Sequence, residues 1–184
     1  MRRLTPSDYR RMPWRNGAGT TTELAIGPEG AGLRGARFLY RVSIAEVASD
    51  GPFSRFEGYD RHIMLLAGAG MTLDCGAHGR IELVAPFEPR AFSGDWDVEG
   101  ALVTGAVRDF NVIVDRERAS STLEVRVLEA PVTIECAAGN VCIMHVINGA
   151  LADAAAGDTL VADAPFELVP RCATRVAIAR VAPR

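Results

Sequence analysis

Apolar residues in this chain fall in short runs, often with every second position polar, and Gly, Pro or Asp separates one run from the next. No stretch keeps the 3.6-residue apolar stripe of an amphipathic helix, so the pattern predicts strands. They are expected over 38–47, 62–67, 70–74, 80–83, 101–107, 110–115, 123–128, 141–147 and 175–181. Turns belong at Asp50-Gly51-Pro52, at Gly68-Ala69-Gly70 and at Ala156-Gly157-Asp158. Strands at this spacing build a sandwich, a jelly roll or a barrel, so the fold class is all-β.

An internal repeat narrows the choice. The run from His62 to Gly68, followed by Ala85-Pro86-Phe87-Glu88, is echoed by the run from Ile143 to Gly149, followed by Ala164-Pro165-Phe166-Glu167. The offset is 81 residues at the glycines and 79 at the Ala-Pro-Phe-Glu tetrapeptides, which implies two similar β units in one chain. A strand, a Gly turn and a later Pro turn resemble a cupin repeat, and Gly157-Asp158-Thr159-Leu160 matches the cupin phrase Gly-Asp-x-Leu. Two copies resemble a bicupin, with two jelly-roll halves expected over 1–115 and 116–184, the second degenerate and the pocket in the first.

At 184 residues, with 48% hydrophobic and 23% charged positions, each half can bury a core. Composition changes the picture mainly through what it removes. All 20 basic residues are Arg, so a Schiff-base lysine, a phosphate-loop lysine and a lysine general base are excluded. Guanidinium forks suit carboxylate recognition and do not titrate near neutrality, which favours binding. The net charge of -3 and the scattered arginines predict no nucleic-acid partner. A polar N-terminus without a secretion signal, and no run of membrane-spanning length, predict a cytoplasmic protein without a membrane partner. Cys75, Cys136, Cys142 and Cys172 lack Cys-x-x-Cys spacing and are expected to be buried free thiols.

Metal-binding cupins use a His-x-His pair, a following Glu and a further His. Here His62, His78 and His145 lie far apart, so no metal and no other cofactor is expected. His62 and His145 read most simply as hydrogen-bonded strand residues, and His78 as an exposed turn residue.

Three segments carry a more specific resemblance. They are 12–23, with Trp14, Arg15, Asn16, Gly17, Gly19, Thr21 and Glu23; 41–61, running from Arg41 and Ser43 through Asp50-Gly51-Pro52-Phe53 to Asp60-Arg61; and 107–112, with Arg108-Asp109-Phe110-Asn111. Together they resemble the HutD/Ves family, with Ala18 where that family often has Gly. The resemblance implies a bicupin and a role in histidine utilisation, by sensing or buffering an intermediate such as urocanate or formylglutamate.

Taken physically, Asn16-Gly17 makes a tight turn before a Thr-rich strand, leaving Trp14 and Arg15 either as a wall for a ligand or as parts of a plain hairpin. Alternation puts Arg41, Ser43 and Ala45 on one strand face, which is either a wet lumen or a solvated surface. Asp60-Arg61 and Arg108-Asp109 invite cross-pairing of Asp60 with Arg108 or of Asp109 with Arg61, as part of the site or as a structural ion-pair cluster. For a small anionic metabolite, Arg15, Arg41, Arg61 and Arg108 are the expected anion contacts. Asn16, Ser43 and Asn111 would read its polar remainder, and Trp14 and Phe53 would exclude water; Thr21, Glu23, Asp60 and Asp109 complete the candidate set. The alternatives are a metal-free cupin isomerase or hydrolase using Glu23, Glu46, Asp60 or His62 as acid or base, and a stress-related protein without a small ligand. A homodimer is compatible with either.

Overall fold

A computed structural model describes residues 1–31 and 36–184. Regular structure among them is β, apart from single 3-10 turns at Pro6–Asp8 and Gly76–His78. Among the described residues, no helix is long and apolar enough to cross a membrane.

Two compact units divide the chain, one made of residues 10–117 and the other of 118–184 together with 1–9. The expected division after residue 115 therefore misplaces the first nine residues. Strand β1 (Arg2–Leu4) pairs with Thr159–Ala162, and Arg3 reaches Asp158 at 2.8 Å. The Tyr9 hydroxyl, 2.7 Å from Thr159 Oγ1, donates to the Gly157 carbonyl at 2.7 Å. A three-residue strand whose partners lie some 155 residues away leaves no local signal of where it pairs.

Within 10–117 run β2 (Arg10–Pro13), β3 (Gly19–Gly27), β4 (Tyr40–Val47), β5 (Gly51–Pro52), β6 (Tyr59–Ala67), β7 (Met71–Asp74), β8 (Arg80–Leu83), β9 (Arg90–Ser93), β10 (Glu99–Leu102) and β11 (Val107–Asp115). They form a six-stranded sheet in the order β2-β3-β4-β11-β6-β9 and a four-stranded sheet in the order β5-β10-β7-β8, paired antiparallel throughout. Ala45, Val47, Ile63, Leu65 and Val107 of the larger sheet pack on Met71, Leu73 and Leu83 of the smaller one. This is a jelly-roll core. Along the same inner face the residues turn polar, from Val47 to Ser43 and Arg41 on β4 and from Leu65 to Arg61 on β6. One end of the lumen is thus hydrocarbon and the other polar.

The second unit contains β12 (Ala119–Leu128), β13 (Val132–Ile134), β14 (Val141–Asn148), β15 (Thr159–Ala162), β16 (Phe166–Leu168) and β17 (Thr174–Pro183). Its sheets are β1-β15-β14-β17-β12 and β13-β16. Cys75, Cys136 and Cys142 are buried as expected, but Cys172 is exposed, because it sits in the bend before β17 and not in a strand. The expected strand 101–107 breaks in two, since the chain turns between Leu102 and Val107 and β11 continues to Asp115.

The repeat is visible in the backbone. Leu66 is the unpaired residue of a bulge between β6 and β11, and Ile147 is its counterpart between β14 and β17. Each bulge precedes a glycine with positive φ, +107° at Gly68 and +86° at Gly149. A methyl group on either would lie 2.8 Å from Val107 or 2.6 Å from Thr174. Carried along this alignment, Arg61, Asp109 and Asn111 correspond to Cys142, Val176 and Ile178, all fully buried in the second unit's apolar core. Only the first jelly roll has a charged inner face at these positions.

Gly68→Ala and Gly149→Ala are each expected to destabilise by about 2 kcal/mol or more, because strain and overlap add. Gly105→Ala, at φ +64° with nothing within 4 Å of the added methyl, should lose only about 1 kcal/mol. Urea denaturation of the three variants checks this ordering.

Candidate functional site

The polar end of the first lumen is walled by the turn between β2 and β3. Gly17 N–H donates to the Trp14 carbonyl at 3.1 Å, Trp14 N–H to the Gly19 carbonyl at 2.9 Å, and Ala18 N–H to Asn16 Oδ1 at 3.0 Å. Gly17 takes φ +71°, which suits glycine. A side chain at Gly19 would run into the Glu46 carbonyl and the Trp14 ring, so glycine lets the indole lie against β3. There Trp14 Nε1 donates to Thr21 Oγ1 at 2.8 Å.

Behind this wall is a cavity of about 480 Å³. The turn and β3 contribute Pro13, Trp14, Arg15, Asn16 and Thr21, β4 contributes Arg41, Ser43 and Ala45, and the segment after β4 contributes Pro52, Phe53, Ser54 and Phe56. Arg61 of β6 and Asn111 and Ile113 of β11 complete it.

Arg61 dominates the site. Its side chain is only 5% exposed, and its charge lies over three rings, at 4.7 Å from Phe92, 5.3 Å from Phe56 and 5.9 Å from Phe53. Nη1 donates to the Ser54 carbonyl at 3.1 Å and Nη2 to Asn111 Oδ1 at 2.9 Å, while Nε is buried without a partner. Asn111 in turn donates through Nδ2 to Oδ1 of Asp109, a fully buried carboxyl whose Oδ2 has no partner. Burial pushes Arg61 down to about 10, with Arg41 lowering it further and Asp109 opposing. Burial also pushes Asp109 up to about 7, against the pull of the Arg61 charge and the Asn111 hydrogen bond. The guanidinium therefore stays charged at neutral pH while the carboxyl is poised between its two forms.

Of the thirteen candidate residues, the structure gathers Trp14, Arg15, Asn16, Thr21, Arg41, Ser43, Phe53, Arg61 and Asn111 around one cavity. The other four lie elsewhere. Glu23 accepts from Arg41 Nε at 2.8 Å and lines a smaller cavity of about 180 Å³ that Arg41 also borders. Asp60 alternates to the opposite face from Arg61 and pairs with Arg116 at 2.6 Å, so the expected Asp60–Arg108 pair does not form. Arg108 is exposed on the face opposite Asp109. Asp109 lies beneath the cavity, linked to Arg61 through Asn111.

Sequence reasoning missed Phe56 and Phe92. Phe56 follows Phe53 by three residues in an irregular segment with no periodicity to read, and Phe92 meets Arg61 only because the two are register partners across β6 and β9. None of the acid-base candidates lines the cavity. Glu46 is exposed and paired with Arg11 at 3.1 Å, and His62 lies on the face opposite Arg61. His145 is buried, with Nδ1 3.0 Å from Thr159 Oγ1, and exposed His78 stacks on Trp96 at 4.3 Å between ring centres. Among the described residues, no three His, Cys, Asp or Glu side chains gather into a group fit to hold a metal ion.

The HutD family model matches residues 6–179. The chain belongs to the HutD family. An uncharacterised 21.2 kDa protein in the hutC 3' region of Pseudomonas putida is 43% identical to this HutD-family chain over 121 residues. That match takes in 66% of this chain and 62% of the P. putida protein, so less than two thirds of the relative's length is spanned. Protein Ves of Citrobacter koseri is 35% identical over 147 residues, 78% of this chain and 72% of that one. Among solved structures, a conserved protein of unknown function from Pseudomonas aeruginosa PAO1 is 33% identical, with a TM-score of 0.86 and 98% of each chain covered. HutD from Pseudomonas fluorescens SBW25, in a formate condition, is 31% identical with a TM-score of 0.81, covering 100% of this chain and 98% of that one. At 9% identity and a TM-score of 0.70, the bacterial pirin YhhW of Escherichia coli, aligned over 99% of this chain and 98% of its own, shares the cupin-like fold alone.

The Asp109 carboxyl makes stability depend on pH. Its folded value of about 7 lies above the ordinary 3.8, so the folded state keeps a proton that the unfolded chain releases, and stability falls as pH rises across that window. Asp109→Asn removes the effect. Relative to the parent, the variant should gain stability by a few kcal/mol between about pH 4 and pH 8, as read from melting temperatures along the series.

Proposed function

We propose that this HutD-family protein binds a small carboxylate metabolite in the first jelly roll, without a metal ion, in an accessory or regulatory role in histidine utilisation. The observation that carries the reading is the Arg61 guanidinium, a buried and charged group that borders the cavity and is only partly hydrogen-bonded within the protein. A cation kept from water is costly, and an anion in the cavity it borders would offset that cost through a charge-assisted contact. Arg15 adds positive charge to the same cavity and Arg41, paired with Glu23, a further guanidinium, while Asn16, Ser43 and Asn111 offer uncharged donors and acceptors. Trp14, Phe53 and Phe56 supply apolar walls that would strengthen those contacts by keeping water out.

Size adds a constraint. A space of about 480 Å³ is many times the roughly 30 Å³ that one water occupies, so it suits a ligand larger than formate. Urocanate and formylglutamate both fit that description. A relative named for the hutC 3' region supports a place in histidine utilisation. Binding is favoured over acid-base catalysis because Glu23, Glu46, Asp60 and His62 all lie off the cavity wall.

Calorimetric titration with formate, urocanate and formylglutamate tests the reading. Arg61→Gln should weaken the best of them by roughly 10–100-fold, the worth of one charge-assisted contact. Arg108→Ala, on the opposite face, should leave affinity unchanged. Equal affinity in the parent and the Arg61 variant, with both folded by circular dichroism, would exclude Arg61 as the anion contact.

A further inference from the structure

Asp109 is a carboxyl that the binding reading does not use. It lies on the inner face of β11, opposite Ala45 of β4 and Leu65 of β6, and no part of it reaches solvent. Ser43 and Ile63, the neighbouring inward residues on those strands, carry no charge, and the smaller sheet brings Met71, Leu73, Leu83 and the Cys75 thiol to the same core. Among the described residues, Arg61 is the one charged group acting directly on the carboxyl, and Arg41, itself held by Glu23, acts on Arg61 in turn. Asn111 joins the two ends: its Oδ1 accepts from Arg61 and its Nδ2 donates to Asp109 Oδ1. Asp109 Oδ2 has no partner, so it can take a proton without disturbing that chain.

We propose that anion binding on Arg61 is coupled to uptake of one proton by Asp109, so that the site holds its ligand more tightly as pH falls through neutrality. The proposal rests on the anion-site reading and adds its regulation. With Asp109 ionised, the buried guanidinium already has a negative partner one side chain away, and a second anion would set two negative charges against one cation at low dielectric. With a proton from solvent on Oδ2, the aspartate becomes a neutral acid and the whole Arg61 charge is available to the ligand. By linkage, the factor by which the proton improves ligand affinity equals the factor by which the ligand improves proton affinity. Burial has already brought this carboxyl to about 7, close enough for a bound anion to tip it. Asp109 is then a positioning residue, acting on the ligand through Asn111 and Arg61. The corresponding positions of the second jelly roll, Val176 and Ile178, have no such device.

Formate is the probe of choice because its own carboxyl stays ionised throughout the range. Titrated between about pH 6 and 8 in two buffers of different ionisation enthalpy, the parent should bind more weakly as pH rises, by up to about tenfold per unit above the Asp109 midpoint, and take up between zero and one proton. Asp109→Asn, a neutral isostere whose carboxamide oxygen still accepts from Asn111, should bind at every pH as tightly as the parent does at the acid end, with no proton uptake. An infrared band of a protonated carboxyl that grows in the parent on adding formate gives the same answer if the variant does not fold. Saturable binding that is flat with pH and takes up no proton overturns the coupling and leaves the anion site standing. Where formate does not saturate, formylglutamate, whose carboxyls also stay ionised in this range, replaces it. Absence of saturable binding of formate, formylglutamate and urocanate to the parent at every pH overturns both.

Discussion

A guanidinium removed from water sets the terms for the first jelly roll. Arg61 is buried on the inner face of a β sandwich where that face turns from hydrocarbon to polar, and a cation there survives only if its surroundings replace the lost hydration. The replacement comes from several parts of the fold: a carbonyl from the Ser54 segment, an amide from Asn111 on β11, and the electron-rich faces of Phe53, Phe56 and Phe92. It is incomplete, because Nε stays unpaired and the Asp109 carboxyl is reached by hydrogen bonds through Asn111. The incompleteness is what makes the site chemically interesting. A fully compensated cation would be structure alone, whereas a partly compensated one beside a cavity is the feature on which the proposed anion site rests.

The second jelly roll is the natural control. It repeats the bulge, the positive-φ glycine and the sheet order around β14 and β17, but places Cys142, Val176 and Ile178 where the first has Arg61, Asp109 and Asn111. All three are fully buried in its apolar core. The same backbone therefore supports a packed interior or a charged pocket at these positions. The second unit also takes β1 from the chain's start, an exchange that ties residues 1–9 to 118–184.

The sequence alone determined the all-β class, the doubled unit and most of the long strands, because period-two alternation and Gly-Pro punctuation are local properties written in consecutive residues. It also placed Arg41, Ser43 and Ala45 on one face, since alternation fixes which side of a strand a residue takes. What it left open depended on partners distant in the chain. Register across β6 and β9 decided that Phe92 lies over Arg61, Asp60 found Arg116 and not Arg108, and β1 found a strand more than 150 residues away. Burial was decided last, by the closing of the two sheets. Only then did Asp109 become a carboxyl titrating near neutrality and Arg61 a cation short of one hydrogen bond, because desolvation is a property of the packed whole and of no single segment.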